Sequence, residues 1–129
     1  MNADLWTVAA AVVLPYVPYL FVAVEKNRRG IYDRDNPAAS NALLEGWSLR
    51  AKYAEVNSWE ALAAYLGVSW IAHEAGADTN TLFALGVAWV VSRLVYVGAY
   101  VAGKGNLRVW AWFAGVALLL ARFGVAVGR

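Results

Sequence analysis

The chain has 129 residues, of which 61% are hydrophobic and 16% charged, with 11 basic side chains, 9 acidic ones and no cysteine. Soluble domains carry about 25% charged and about 45–50% apolar residues, so this balance, with a mean hydropathy of +0.48, excludes both a water-soluble globule and a disordered chain. Disulfides, thiolate metal sites and a protein thiol nucleophile are excluded with the cysteines. The lone histidine builds no zinc site, and a net charge of +2 is too small for a nucleic-acid binder.

A membrane-spanning helix needs about 20 mostly apolar residues, and four such segments are expected in one domain covering 1–129, over about 5–24, 53–72, 79–102 and 107–127. The first contains Pro15 and Pro18, which kink a helix but are tolerated where neighbours satisfy the freed carbonyls. It resembles a signal peptide in length, yet Asp4 precedes it and Lys26, Arg28 and Arg29 follow it, the reverse of a cleavable signal. A retained first helix is therefore expected. The second helix is predicted to run from Pro37 to Ala72, amphipathic at first and apolar later. Turn signals at Gly76-Ala77-Asp78 and Gly103-Lys104-Gly105-Asn106 bound the third helix.

Charge sidedness orients these spans. Lys26, Arg28, Arg29, Arg34, Arg50 and Lys52 fall in the first connection, and Lys104 and Arg108 in the third. The N-terminus and the second connection carry no Lys or Arg, while Arg122 and Arg129 lie at the C-terminal end. The positive-inside rule then puts the first and third connections in the cytoplasm and both termini on the opposite side.

Polar residues inside the spans are costly in lipid and need a partner or a wet cavity. Arg50, Tyr53, Asn57 and Glu60 recur at helical spacing on one face of the second helix, as do Arg93, Tyr96 and Tyr100 on the third. Glu60 and Arg93 fall at similar depth, so an ion pair between them is expected. The same residues also suit a plainer role as interhelical glue, and Tyr96 and Tyr100 suit an aromatic belt. Trp6, Trp110 and Trp112 read as interface anchors. His73, with Glu74 and Asp78, reads as a solvated loop, and Arg122 as a side chain that snorkels outward or pairs between subunits.

The segment Arg50-Ala51-Lys52-Tyr53-Ala54-Glu55-Val56-Asn57-Ser58-Trp59-Glu60 resembles the RAxxAxxNxxE signature of the membrane-associated proteins in eicosanoid and glutathione metabolism (MAPEG), and Arg93-Leu94-Val95-Tyr96 with Tyr100 resembles their third-helix RxxYxxxY pattern. Tyr32-Asp33-Arg34-Asp35-Asn36-Pro37 is similar to a loop of bacterial members. The resemblance implies an all-α, four-helix integral membrane protomer assembled as a homotrimer, a multi-pass protein of the cell inner membrane. It further implies glutathione as cosubstrate at the protomer interface, held by Arg50, Asn57, Glu60, Arg93, Tyr96 and Tyr100, with Arg108 activating its thiol. The implied activity is glutathione transfer to lipophilic electrophiles or reduction of hydroperoxides. Tyr53 and Ala61 stand where several glutathione-using members carry an arginine and an aromatic residue, which keeps open a non-catalytic scaffold or lipid-binding member. A small proton-coupled transporter using Glu60 is the further alternative; against it, the first helix has no acidic residue between Asp4 and Glu25.

Overall fold

The computed structural model describes residues 2–128; Arg129, expected beside Arg122 at the C-terminal end, lies outside them. The chain folds into α1 (Ala3–Val13), α2 (Tyr16–Arg28), a 3₁₀ segment (Pro37–Leu43), α3 (Gly46–Glu74), α4 (Thr79–Val101) and α5 (Gly105–Val127). Helices α1 and α2 form one rod, broken at Leu14 and Pro15, where proline has no N–H to continue the ladder. The break has a packing consequence: α1 lies mainly against α4, whereas α2 lies against α3.

Among the described residues three helices are long and apolar enough to cross a membrane: Ala3–Arg28, Thr79–Val101 and Gly105–Val127. The longest, α3 with 29 residues, is not among them, because Arg50, Lys52, Glu55, Asn57 and Glu60 lie along it. The expected helix from Pro37 to Ala72 is not continuous. Leu44 and Glu45 are extended, and Gly46 takes a φ of +57°, a left-handed conformation open to glycine at little cost. The chain thus turns between the 3₁₀ segment and α3. At the far ends of α3 and α4, Gly76 and Gly103 also have positive φ, and Ala77 N–H and Lys104 N–H reach back to Ala72 O and Ala99 O, the bond pattern of a glycine-terminated helix.

Packing is inverted relative to a soluble bundle. Small residues such as Ala51, Ala54, Ala72, Ala99 and Ala111 are buried, while Trp6, Trp70, Trp110 and Leu120 are exposed, as expected where lipid rather than water surrounds the protein and small side chains let helices approach closely. Gly86 shows how close that approach is: a Cβ there would lie 2.5 Å from Thr7 Oγ1 and 2.7 Å from the Tyr65 hydroxyl. Tyr65 in turn stacks on Trp89 with ring centroids 4.1 Å apart.

The end of the bundle that carries the N-terminus is held by one buried cation. Arg122, 0% exposed, neither snorkels nor needs a neighbouring subunit. Its Nη1 donates to Asp4 Oδ1 (2.8 Å) and Leu82 O (2.7 Å), and its Nη2 donates to Asp4 Oδ2 (2.6 Å) and Ser69 Oγ (3.0 Å). Nε–H points to the same Ser69 Oγ at 3.3 Å, so all five guanidinium N–H donors are used. Arg122 is 118 residues from its carboxylate partner in sequence, which is why local pattern placed it on the surface. His73 is likewise not a free loop residue, since its Nε2 lies 2.8 Å from Asp4 Oδ2.

Arg122→Leu is expected to destabilise the protein by about 3–5 kcal/mol, because it leaves the Asp4 carboxylate buried without its cation. Asp4→Leu combined with Arg122→Leu is expected to recover most of that loss, and thermal unfolding in detergent compares the two. Gly86→Ala is expected to lower the melting temperature, whereas Gly98→Ala, with nothing within 4 Å of its Cβ, is neutral or stabilising.

Candidate functional site

The polar stripes of α3 and α4 meet in the half of the bundle away from Arg122. Arg93 is buried on α4, and its Nη2 donates to Asn57 Oδ1 of α3 at 2.6 Å. Its guanidinium carbon sits 4.1 Å from the centre of the Tyr96 ring, three residues on and therefore on the same helix face. Tyr96 meets Tyr100 edge to face at 5.7 Å, and the guanidinium of Arg108, from the first turn of α5, lies 4.7 Å from the Tyr100 ring centre. Arg93, Tyr96, Tyr100 and Arg108 thus form a ladder of two rings with a cation at each end.

Beside the ladder are two adjoining hollows. One, of about 240 Å³, is walled by Asn57, Glu60, Trp89, Arg93, Trp112 and Gly115. The other, of about 170 Å³, is walled by Asn57, Tyr96, Arg108, Val109 and Trp112. Asn57 and Trp112 belong to both, so the hollows are lobes of one open recess. Gly115 gives the floor its depth: a Cβ there would stand 3.3 Å from Ser92 Oγ and 3.7 Å from Arg93 Cδ. Trp112, expected as an interface anchor, is thus a wall of the recess. Its spacing of three residues from Gly115, opposite Arg93, is the sequence signal that was available for it.

The expected Glu60–Arg93 ion pair does not form. Among the described residues Glu60 has no cation within 4.0 Å, and its side chain is exposed at the rim of the recess. Glu60 is three residues beyond Asn57, about 4.5 Å further along α3, and the level of the Arg93 guanidinium is that of Asn57. Asn57 therefore takes the guanidinium. Arg93 is left as a buried cation held by a neutral amide and a ring face, with a carboxylate free at the rim. Such a site complements a ligand that carries both anionic and cationic groups.

Arg50 does not join Asn57 and Glu60. Its Nε and Nη2 donate to Val101 O at 3.2 and 3.1 Å, closing the C-terminus of α4, where a cation is favoured by the helix dipole. It lines a separate notch of about 120 Å³ with Tyr100, Gly103, Lys104 and Arg108. Arg108 lines both that notch and the recess. Of the predicted site residues, then, Asn57, Glu60, Arg93, Tyr96 and Arg108 converge on the recess, Tyr100 backs it, and Arg50 stands apart.

Asn57→Leu is expected to cost about 1.5–3 kcal/mol by removing the acceptor of a buried charged donor. Glu60→Gln, at an exposed and unpaired position, is expected to leave the melting temperature of the ligand-free protein unchanged. Differential scanning fluorimetry of the two variants distinguishes a structural Asn57 from a rim carboxylate available to a ligand.

Comparison with known proteins gives an independent view of this arrangement. No curated protein sequence matches the chain significantly. The profile of the MAPEG family matches residues 4–128, which takes in α1 to α5 and both polar stripes. The chain is a membrane protein and belongs to the MAPEG family.

Proposed function

We propose that the chain is a glutathione-dependent transferase and peroxidase acting on lipophilic electrophiles and hydroperoxides, with its site between subunits of a homotrimer. The observation that carries this reading is the recess itself, in which Asn57 is shared between one lobe walled by the buried cation Arg93 and the unpaired carboxylate of Glu60 and another walled by the cation Arg108. Glutathione has two carboxylates and one ammonium group. Guanidinium groups suit the former and Glu60 the latter, and Tyr96 and Tyr100 add hydroxyl and ring contacts.

The chemistry asked of the protein is small. A glutathione thiol is mostly protonated at neutral pH, and a cation beside it favours the thiolate; Arg108 is the residue proposed for that task. The thiolate sulfur attacks the electrophilic carbon, a C–S bond forms, and the leaving group departs with its electron pair while the thiol proton passes to solvent. With a hydroperoxide, sulfur attacks the outer oxygen, the O–O bond breaks to give an alcohol, and a second glutathione completes the disulfide and water. No cysteine of the protein is needed, and the chain has none.

Assembly follows from where the recess opens. Glu60 is exposed in the protomer about halfway along α3, and a carboxylate at that position is costly against hydrocarbon. A second copy covering α3 and α5 removes that cost and closes the recess. In this arrangement α3 is the fourth membrane span, and the basic connections are cytoplasmic.

Purified protein is expected to turn over glutathione with a chromogenic aryl chloride or a lipid hydroperoxide, to melt at higher temperature with glutathione, and to have three times the protomer mass by native mass spectrometry. Arg108→Leu is expected to lower kcat by about two orders of magnitude and to move the rise of kcat with pH to higher pH, since the thiol then ionises later; Arg108→Lys keeps most of the activity. Absence of both turnover and glutathione-dependent stabilisation overturns the reading.

A further inference from the structure

A second hollow, remote from the recess, lies between α2, the 3₁₀ segment and α3. Its volume is about 320 Å³, and its walls include Tyr19, Lys26, Tyr32, Asn41, Lys52 and Glu55, a size in the range of small-molecule sites. Lys26 is only 7% exposed. Its Nζ donates to Asn41 Oδ1 at 2.5 Å and to Pro37 O at 3.3 Å, so the 3₁₀ segment fixes the ammonium in place with neutral acceptors. Lys52 donates to both oxygens of Glu55, at 3.2 and 3.3 Å. Among the described residues no carboxylate lies within 4.0 Å of Lys26. The hollow therefore holds two ammonium groups against one carboxylate, with Lys26 largely removed from solvent and lacking a counter-ion of its own. An ammonium has three donors, and two on Lys26 are taken.

The surroundings say which anion suits it. Tyr19 stands 6.1 Å from Tyr16, Tyr16 stands 5.2 Å from Trp59, and Trp59 Nε1 donates to Glu55 Oε2 at 3.3 Å. A run of rings thus leads from the rim of the hollow along α2 and α3 towards the middle of the bundle. Between those rings and Lys26, α2 presents Leu20, Phe21 and Val24, all exposed. Lys26 lies at the end of the apolar span Ala3–Arg28 and Tyr32 just beyond it; lysine and tyrosine at such a position mark the headgroup level of a bilayer, where basic pockets attract anionic lipid.

We propose that this hollow is a binding site for the phosphate headgroup of an anionic phospholipid, with Lys26 and Lys52 on the phosphate and the acyl chains along the exposed face of α2. Free phosphate esters share the headgroup chemistry but gain nothing from that apolar face, so they bind far more weakly.

The test uses the full chain purified in neutral detergent, with melting temperature and native mass spectrometry read against added phosphatidylglycerol, phosphatidylcholine, glycerol phosphate or glutathione. Phosphatidylglycerol is expected to stabilise the protein at lower concentration than phosphatidylcholine. Lys26→Met and Lys52→Gln are each expected to weaken that preference about tenfold, the factor equivalent to about 1.4 kcal/mol, while Arg34→Gln, which removes a nearby exposed charge, preserves it. If Lys26→Met does not fold, Lys52→Gln alone carries the test. Equal stabilisation by the two lipids, a preference that survives the lysine substitutions, or equal action by glycerol phosphate or glutathione overturns the proposal. Loss of glutathione turnover with the lipid preference intact speaks only to the catalytic reading.

Discussion

A guanidinium and a carboxylate buried together set the geometry of this bundle. Arg122 of α5 draws Asp4 of α1, Ser69 of α3 and the Leu82 carbonyl of α4 to one point. Every donor of the guanidinium is used, so the arrangement admits little sliding: a one-residue shift of any partner helix by about 1.5 Å would leave a charged donor or acceptor unmet in an apolar setting. A buried ion pair is weak evidence for net stability. Here its contribution is register.

Register is what joins this end of the molecule to the recess. Helices α3 and α4 run antiparallel, and Arg122 fixes Ser69 opposite Leu82. About 17 Å along both helices from that level comes the Asn57–Arg93 hydrogen bond, and about 11 Å further comes Arg50 on the Val101 carbonyl. Between the first two levels Tyr65 stacks on Trp89. Three polar contacts and one aromatic stack thus repeat the same pairing along the length of α3, and a displacement at one would be opposed by the others. The Arg93 side chain is held in position by residues more than 15 Å away along its own helix, as well as by its immediate neighbours.

The legible part of the architecture was the part that depends on local composition. Apolar runs marked the rods, Pro15 marked the break in the first, and Gly76 and Gly103 marked two helix ends, since each of those effects acts within a few residues. The extended Leu44 and Glu45 were hidden because Gly46 precedes a helical pattern with no polar cap to announce its start. The Arg122 cluster was hidden for a different reason: Asp4 and Arg122 are at opposite ends of the chain, and His73 is 69 residues from Asp4. For the recess, counting residues from the helix ends put Glu60 and Arg93 at similar depth, and the two do wall the same hollow. The level to within one turn was not available from counting, and that turn of α3 is what gave Arg93 to Asn57 and left Glu60 at the rim.

The two hollows differ in a way that follows from how each cation is held. Arg93 and Arg108 lie against aromatic faces, which stabilise a cation yet leave guanidinium edges free to meet a planar carboxylate. Lys26 is a compact ammonium held by an amide and a backbone carbonyl, a point charge suited to a phosphate and indifferent to planarity. A lysine at 93 could not lie flat on Tyr96 while bonding Asn57. The chain therefore holds planar guanidinium groups at the α3–α4–α5 face and a compact ammonium at the α2–α3 face, and the register set by Arg122 keeps the helix they share, α3, in place for both.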